Sequence, residues 1–499
     1  MKYFFSILNI SICLGSLFSG YGQQTITATI LDQKNNTPIP YATVQTGEYQ
    51  GVVTNDEGKF SISIPEKIQE TDSIYISSMG YEKVGIAIHK IKDSLIYISP
   101  KAIELKSVFV SNKNLTADQI IDNVKNRLVD NYEKGIHQKK MFFRQSDIYD
   151  LKKLNIDFKK SSIEELNEKF IDSVTKTIPR KSNFYIETLC DVYYNKDKTK
   201  MKITKAAELY DKNKLGSVDE LNDRLEKIFT ENIKPDSYLK IKSGLFGTKI
   251  QVDSLLQNNE DAAALQDEVE KRKVNGQFLR FRKEVLSMAN KSVFFEDESK
   301  LNVIKKSNRY SFKLMDYTYF NEQSLYVVRF EPKRSEDFKG VLYINTEDFA
   351  IVRIEYENVN PLRNIKLLGI HYRENLYKGK TIFSKGTDGK YTIQYLEHYI
   401  GNIVGVDRPL KVIEKNKNVK GRRKQNELSL GVDLIIDNFS KFEVVVFDTT
   451  AITSSDYNVV VENKNFEPDY LPKYNPNYWK GHTIIEPNTA IQQFSAIEH

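Results

Sequence analysis

From Gln24 to about Ser111 the chain alternates apolar and polar side chains over short runs, and the segments between the runs carry the residues that turns need. Phe60, Ile62 and Ile64 alternate with Ser61 and Ser63, and Ile74 and Ile76 alternate with Tyr75 and Ser77, which puts the Ile and Phe side chains on one face. Asn55 and Asp56 can bond their own backbone, Gly58 can take a positive φ without a Cβ clash, and Pro38 and Pro40 preset φ and remove donors from an edge. Short strands with one apolar face are buried by packing sheet on sheet, so residues 24–111 read as a small all-β sandwich.

The markers of this segment come in a fixed order: Leu31-Asp32, the turn Asn35-Asn36-Thr37-Pro38-Ile39-Pro40, Tyr41-Ala42-Thr43-Val44, the hairpin Thr54-Asn55-Asp56-Glu57-Gly58, and Ser77-Ser78-Met79-Gly80-Tyr81. That succession resembles the carboxypeptidase-D regulatory-like domain, a transthyretin-like sandwich common at the N-termini of Bacteroidetes envelope proteins. The resemblance implies a module and a compartment, and a domain that carries no catalytic groups. Ile103 to Val110 is similar to the ending such domains show before a transporter plug. The residues after Ser111 are too few for a plug and a barrel of about 22 strands, so an outer-membrane transporter is not expected.

Residues 1–22 read as an export signal: Lys2 supplies the positive start, Phe4 to Phe18 an apolar run too short to span a bilayer, and Gly20 and Gly22 the small residues at the cut. Cys13 follows Ser11-Ile12 rather than a lipobox, so the mature chain is expected to start near Gln23 or Gln24, without a lipid anchor. Cys190 is then the only cysteine, which excludes an intramolecular disulfide framework. The expected destination is the periplasm or the periphery of the outer membrane. No later run approaches the ~18 apolar residues of a membrane helix. About 475 mature residues are too many for one core.

Lys and Arg number 73 against 67 Asp and Glu, a net charge of +6 spread along the chain, so no nucleic-acid footprint is expected. One basic cluster stands out, from Lys411 to Lys424 with Gly421-Arg422-Arg423-Lys424 and a single acid, Glu414. It reads either as a solvated loop between strands or as a contact for an anionic lipid surface.

The second region opens with helical signatures. Thr116 and Gln119 have capping-box spacing before Ile120, Ile121, Val124 and Leu128, as do Ser162 with Glu165 and Ser217 with Glu220, and Asp261 to Lys273 predicts a further helix, with Met288 as the far limit of any extension. Residues 115–290 are therefore expected to be mainly helical with a few strands, among them Phe184 to Tyr194. From Tyr310 the period becomes two: 311–317, 324–330, 340–344, 350–356, 367–377, 391–399, 427–436 and 442–447 predict an antiparallel meander over 300–450, followed by an extended tail at 451–499. The fold class is thus multidomain: an N-terminal all-β sandwich, then an α+β domain whose large, curved antiparallel sheet is covered by helices. Phe338 to Ile354 resembles the strand-turn-strand of LolA-like lipoprotein-carrier half-barrels, which implies a cavity for a lipid or lipoprotein. That segment is also similar to the periplasmic part of large Bacteroidetes carboxypeptidase-regulatory proteins, as are Asn131-Tyr132 with Phe142-Phe143-Arg144 and Asn475 to Trp479.

Chemistry-bearing patterns are weak. His371-Tyr372-Arg373-Glu374 has the His-x-x-Glu spacing of a zinc carboxypeptidase, with His398 or His482 as a third ligand, but residues three apart on a strand point to opposite faces. His371 and Glu374 are read as solvent-side residues. There is no Gly-x-Ser-x-Gly elbow, phosphate loop or Cys-x-x-Cys. Cys190 is expected to be a buried inert thiol, and Asp147, Asp150 and Asp157 solvated charges.

No catalytic, cofactor or metal residue is therefore assigned, and no cofactor is expected. The function expected is that of a non-enzymatic envelope binding or scaffold protein, with an envelope protein or an apolar or lipid ligand as partner. Its surface is expected on the sheet at 310–450, through Phe312, Tyr317, Tyr319, Tyr326, Phe330, Leu342, Tyr343 and Ile354. The alternatives are a lipid or lipoprotein carrier and a hydrolase with an unrecognised site.

Overall fold

The computed structural model describes residues 24–47, 50–64, 69, 72–91, 94–101, 115–132, 135–195, 198–244, 246–252, 277–321, 323–386, 388–416, 418–421 and 423–496. The expected signal at 1–22, the segment Ile103 to Val110 and the expected helix at Asp261 to Lys273 lie outside these residues. The chain forms two compact units, one of Met1–Lys101 with Pro476–Asn488, the other of Ala102–Asn475 with Thr489–His499.

The first unit is the sandwich. Its strands are β1 (Gln24–Asp32), β2 (Thr43–Gly47), β3 (Gln50–Val53), β4 (Lys59–Ile64), β5 (Ser73–Ser77), β6 (Val84–Ala87) and β7 (Leu95–Ile98). They form a 3-stranded sheet in the order β4-β1-β7 and a 4-stranded sheet in the order β3-β2-β5-β6. Ile26, Ala28, Ile30, Phe60, Ile62 and Ile64 from one sheet and Val44, Val52, Ile74 and Ile76 from the other are buried, as the alternation requires. The turn residues act as expected: Gly58 has φ 73°, and Asn55 Oδ1 accepts from the amides of Glu57 and Lys59, both at 2.9 Å. Asp32 joins two of the family markers. It accepts from Lys34 N at 2.7 Å and from the Tyr81 hydroxyl at 2.8 Å, and these bonds, the Lys34 amide foremost, hold its carboxyl below the usual range.

The free edge of β4 is covered from the far end of the sequence. Ser61 bridges Ile484, the amide of Ser63 bonds Thr483 Oγ1 at 3.2 Å, and Asn55 Nδ2 donates to the Glu486 carbonyl at 3.2 Å. Trp479, Ile484 and Ile485 are buried there. The tail expected to be extended at 451–499 thus contributes a segment to the first unit, and it also holds two short helices, at 454–459 and 489–492.

In the second unit the elements are helix α1 (Ala117–Asn131), β8 (His137–Ser161), α2 (Glu168–Thr177), β9 (Lys181–Asn195), β10 (Lys198–Leu209), α3 (Lys212–Asn232), β11 (Tyr238–Ser243), β12 (Phe246–Gln251), α4 (Gln277–Asn290), β13 (Tyr310–Phe320), β14 (Gln323–Pro332), β15 (Phe338–Asn345), β16 (Ile351–Asn358), β17 (Arg363–Leu367), β18 (Ile370–Lys385), β19 (Tyr391–Lys415), β20 (Lys424–Ala451) and β21 (Asp469–Leu471). All the strands join one 14-stranded sheet with the path β13-β14-β15-β16-β18-β19-β20-β8-β9-β10-β21, to which β11, β12 and β17 attach at the sides. It is antiparallel except where β10 meets β21.

The structure corrects several expectations here. Segment 115–290 holds β8 to β12 beside its helices, because β8 pairs along most of its length with β20 and β9 and so tolerates polar residues that interrupt its alternation. The expected strands 427–436 and 442–447 are one strand of 28 residues, carried through Asn438, whose side chain bonds Asn402 at 3.0 Å on β19. The expected strand 367–377 is split by a turn at Leu368 and Gly369. The Thr116–Gln119 capping box forms as spaced. The pattern at Ser162 is not used, since Asn167 caps α2 by accepting from Phe170 N, while Ser162 bonds the amide of Glu427.

Helices cover one face of the sheet at both ends. On α4, Arg282 is fully buried and donates to Thr188 Oγ1 at 2.9 Å and to Gln145 Oε1 at 3.0 Å, over the ring of Phe143. Burial pulls its guanidinium down to about 9. The residue after α1, Tyr132, accepts from Ile351 N and donates to Ile351 O, inside a cluster with Phe294, Phe295 and Phe383. This packing revises the expected apolar surface. Tyr326, Phe330, Leu342 and Ile354 are core residues, and Phe312, Tyr317, Tyr319 and Tyr343 are half-buried. Tyr326 stacks on Phe349, which Arg127 of α1 overlies at 5.5 Å.

Candidate functional site

At the opposite end of the sheet α2 and α3 lie over the strand ends and build a separate apolar cluster. Phe170 and Ile171 from α2, Ile228 from α3, and Ile163, Ile233, Leu239, Val252 and Leu430 are its buried members. The packing does not fill the space between the elements. A cavity of about 600 Å³ remains, walled by Ile163 and Leu166 before α2, by Leu225, Ile228 and Phe229 of α3, and by Leu239, Val412 and Leu428 from the sheet. That volume lies in the range of small-molecule sites, about 300–1,000 Å³, and its walls have the apolar character of such sites.

Glu226 lines the helix side, and the other polar groups, Glu414, Asn426 and Glu427, stand on the sheet side, where the fold itself uses them. Glu414 is 1% exposed and accepts from Lys234 N at 3.0 Å, from Ser237 Oγ at 2.6 Å and from Asn426 Nδ2 at 2.8 Å, which ties the turn after α3 to the sheet. Glu427 is buried and ion-paired with Lys411 and Lys424, with Lys160 at 3.8 Å. The described part of the basic segment 411–424, which leaves out Lys417 and Arg422, joins β19 to β20 with Gly421 at φ 91°, and its two end lysines share the one carboxylate of Glu427.

Two other cavities lie in this unit. One of about 700 Å³ is lined by Phe184, Tyr210, Phe281 and Phe494 together with Asp147 and Lys181. The other, of about 210 Å³, lies at His137, Tyr194 and Tyr391. Asp147, expected to be solvated, is buried; it accepts from Ser440 Oγ and Gln145 Nε2, both at 2.6 Å. Desolvation raises its carboxyl pKa against those bonds. Asp150 and Asp157 meet the expectation of surface charge, paired with Lys152 and Lys159.

Residues 26–110 match the CarboxypepD_reg-like domain. This domain is a non-catalytic regulatory module, and its match covers the sandwich and none of the cavities. No curated protein matches the chain.

The zinc pattern is taken apart by the geometry. His371 pairs with Gly405 and lies half-buried, whereas Glu374 is 6% exposed and bound by Lys300, so the reading of Glu374 as a solvent-side residue is corrected. His398 is buried between Tyr377, at 4.5 Å, and Phe442, with the Tyr356 hydroxyl 3.1 Å from Nδ1. Burial pulls its pKa down to about 3. His482 belongs to the other unit. Among the described residues no group of three His, Cys, Asp or Glu is placed to hold a metal ion. Cys190 is buried and free, and desolvation drives its thiol pKa up, so the neutral form persists at physiological pH. Sequence reasoning missed the cavity because its walls come from segments far apart in the chain; the apolar stripe at Leu221, Leu225, Ile228 and Phe229 was the one signal that pointed there.

Proposed function

We propose that the protein is a non-enzymatic binding protein of the bacterial cell envelope that holds an acyl chain in the cavity between α2, α3 and the sheet. The observation that carries this reading is a space of about 600 Å³ walled mainly by aliphatic side chains, whereas the cavity of about 700 Å³ in the same unit has Asp147 and Lys181 in its lining. A long acyl chain needs contact area and no directed hydrogen bond, which is what these walls supply, and Glu414 and Glu427 on the sheet side are already bonded within the fold. The export signal expected at 1–22 and the regulatory-like module support an envelope location, and the resemblance of 338–354 to lipoprotein carriers supports the ligand class.

The test is displacement of a fluorescent fatty acid from the purified mature protein. Filling the space with Leu166→Trp and Ile228→Trp together is expected to abolish binding and leave the circular dichroism spectrum unchanged. Undiminished binding by that folded double variant refutes the assignment of the cavity. Phe312→Ser is expected to leave binding unchanged, because Phe312 does not line the cavity.

A further inference from the structure

We propose that the tip of the β17–β18 hairpin inserts into the headgroup region of an anionic phospholipid bilayer and docks the protein there. This inference is independent of the cavity. Strand β17 has all 5 residues exposed and, among the described residues, pairs only with β18. At its end Leu367 is 59%, Leu368 53% and Ile370 44% exposed, with Ile365 behind them at 47%. Four aliphatic side chains within six positions on one exposed hairpin, with only Asp407, among the described residues, as an exposed acid bonded to its turn, are more than the scattered apolar exposure of an ordinary surface.

The turn is built to present them. Leu368 has φ 49° and Gly369 φ 79°, a pair of left-handed residues where Asn-Gly is the ordinary choice and a bulky side chain carries strain. That strain is held by Arg408, which donates to the Leu368 carbonyl and to Ser243 Oγ at 2.7 Å and so fixes the turn to the neighbouring hairpin of β11 and β12. Gly369 is required there, because a Cβ would stand 2.2 Å from the Asp407 carbonyl oxygen.

Charge complements this apolar tip. Register places Leu367 opposite Ile370 and Ile365 opposite Tyr372 on one side of the hairpin, and Lys366 opposite His371 and Asn364 opposite Arg373 on the other. Lys366, Arg373 and Arg363 are exposed, and Lys242 and Lys249 are exposed on the hairpin that Arg408 joins to the tip. Apolar residues at the extremity with cations one strand position behind them match a layer of acyl chains beneath anionic headgroups. A protein partner adding a strand to β17 is disfavoured by Lys366 on that edge.

The experiment is flotation of the full mature chain with vesicles of phosphatidylcholine alone or mixed with phosphatidylglycerol. The protein is expected to float with the mixed vesicles, and the fluorescence of Leu368→Trp is expected to shift to the blue on adding them. Lys366→Glu with Arg373→Glu should weaken binding by about fivefold or more for each charge changed. Leu367→Ser with Ile370→Ser should abolish it while the thermal unfolding midpoint is retained, since both residues are exposed. Flotation unaffected by the folded Ser variant overturns the proposal. So does failure of the wild-type chain to float, including the case in which light scattering shows a dimer that the Ser variant dissolves, which assigns the tip to a second copy.

Discussion

Buried charge on the large sheet is organised by register rather than by sequence proximity. Arg144 of β8, 1% exposed, contacts Glu187 of β9 at 2.6 Å and Glu443 of β20 at 3.6 Å, and Lys441 meets Glu443 at 2.9 Å and Glu397 of β19 at 3.2 Å. Desolvation opposes the charge on Glu443, but Lys441 and Arg144 outweigh it and hold the carboxyl below its usual range. His398 offers a test of such buried groups. Its value falls from the ordinary 6.5 to about 3 because the ring is desolvated, so the folded state favours the neutral form. The stability this supplies is present in full above pH 6.5 and is lost as pH falls toward 3, by about 1.4 kcal/mol for each pH unit in that window. The variant His398→Asn, which keeps an acceptor for Tyr356, is expected to flatten the pH dependence of the unfolding midpoint over that range. An acid limb unchanged from wild type assigns the effect elsewhere. None of these pairings was legible in the sequence, since alternation tells which side a residue is on and not what covers it; Glu374 and Asp147 were misread for that reason.

From Tyr310 onward strand identity was legible from the period-two pattern and strand length was not, whereas β8 and β10 gave no such signal. β8 and β19 have 25 residues each, and the extra length lies where apolar residues are diluted by Asp, Asn and Lys that a neighbouring strand pairs or bonds. The polar residues Asp437, Asn438, Ser440 and Lys441 interrupt the apolar alternation and made one strand look like two, although each of them pairs with both β19 and β8. Within the meander, close packing makes one glycine indispensable: a Cβ on Gly340 would lie 2.0 Å from the Glu355 carbonyl oxygen and 2.7 Å from the Phe330 ring. Gly340→Ala is therefore expected to destabilise the second unit by about 1–3 kcal/mol as β15 and Phe330 shift apart. Urea unfolding followed by tyrosine fluorescence measures it, and a loss under about 0.5 kcal/mol shows that the strands relax freely.

At the scale of the whole molecule, the sandwich was legible as a fold and its boundary was not, because nothing local in Thr483-Ile484-Ile485 says that it will cover β4. A fragment of residues 24–101 is expected to unfold cooperatively but at a lower temperature than the same fragment joined by a flexible linker to 476–488, with a gain of about 4–8 °C for each kcal/mol the segment contributes. Identical midpoints in calorimetry make the segment a passenger. The split has a consequence in time. At about 5–20 residues per second, roughly 20–85 s separate the emergence of β4 from that of its cover, and through that interval Ser61 to Ser63 offer an unpaired strand edge to any other chain. The sandwich starts to form first and is finished last, so a nascent chain interrupted anywhere before 476 leaves the ribosome with that edge bare.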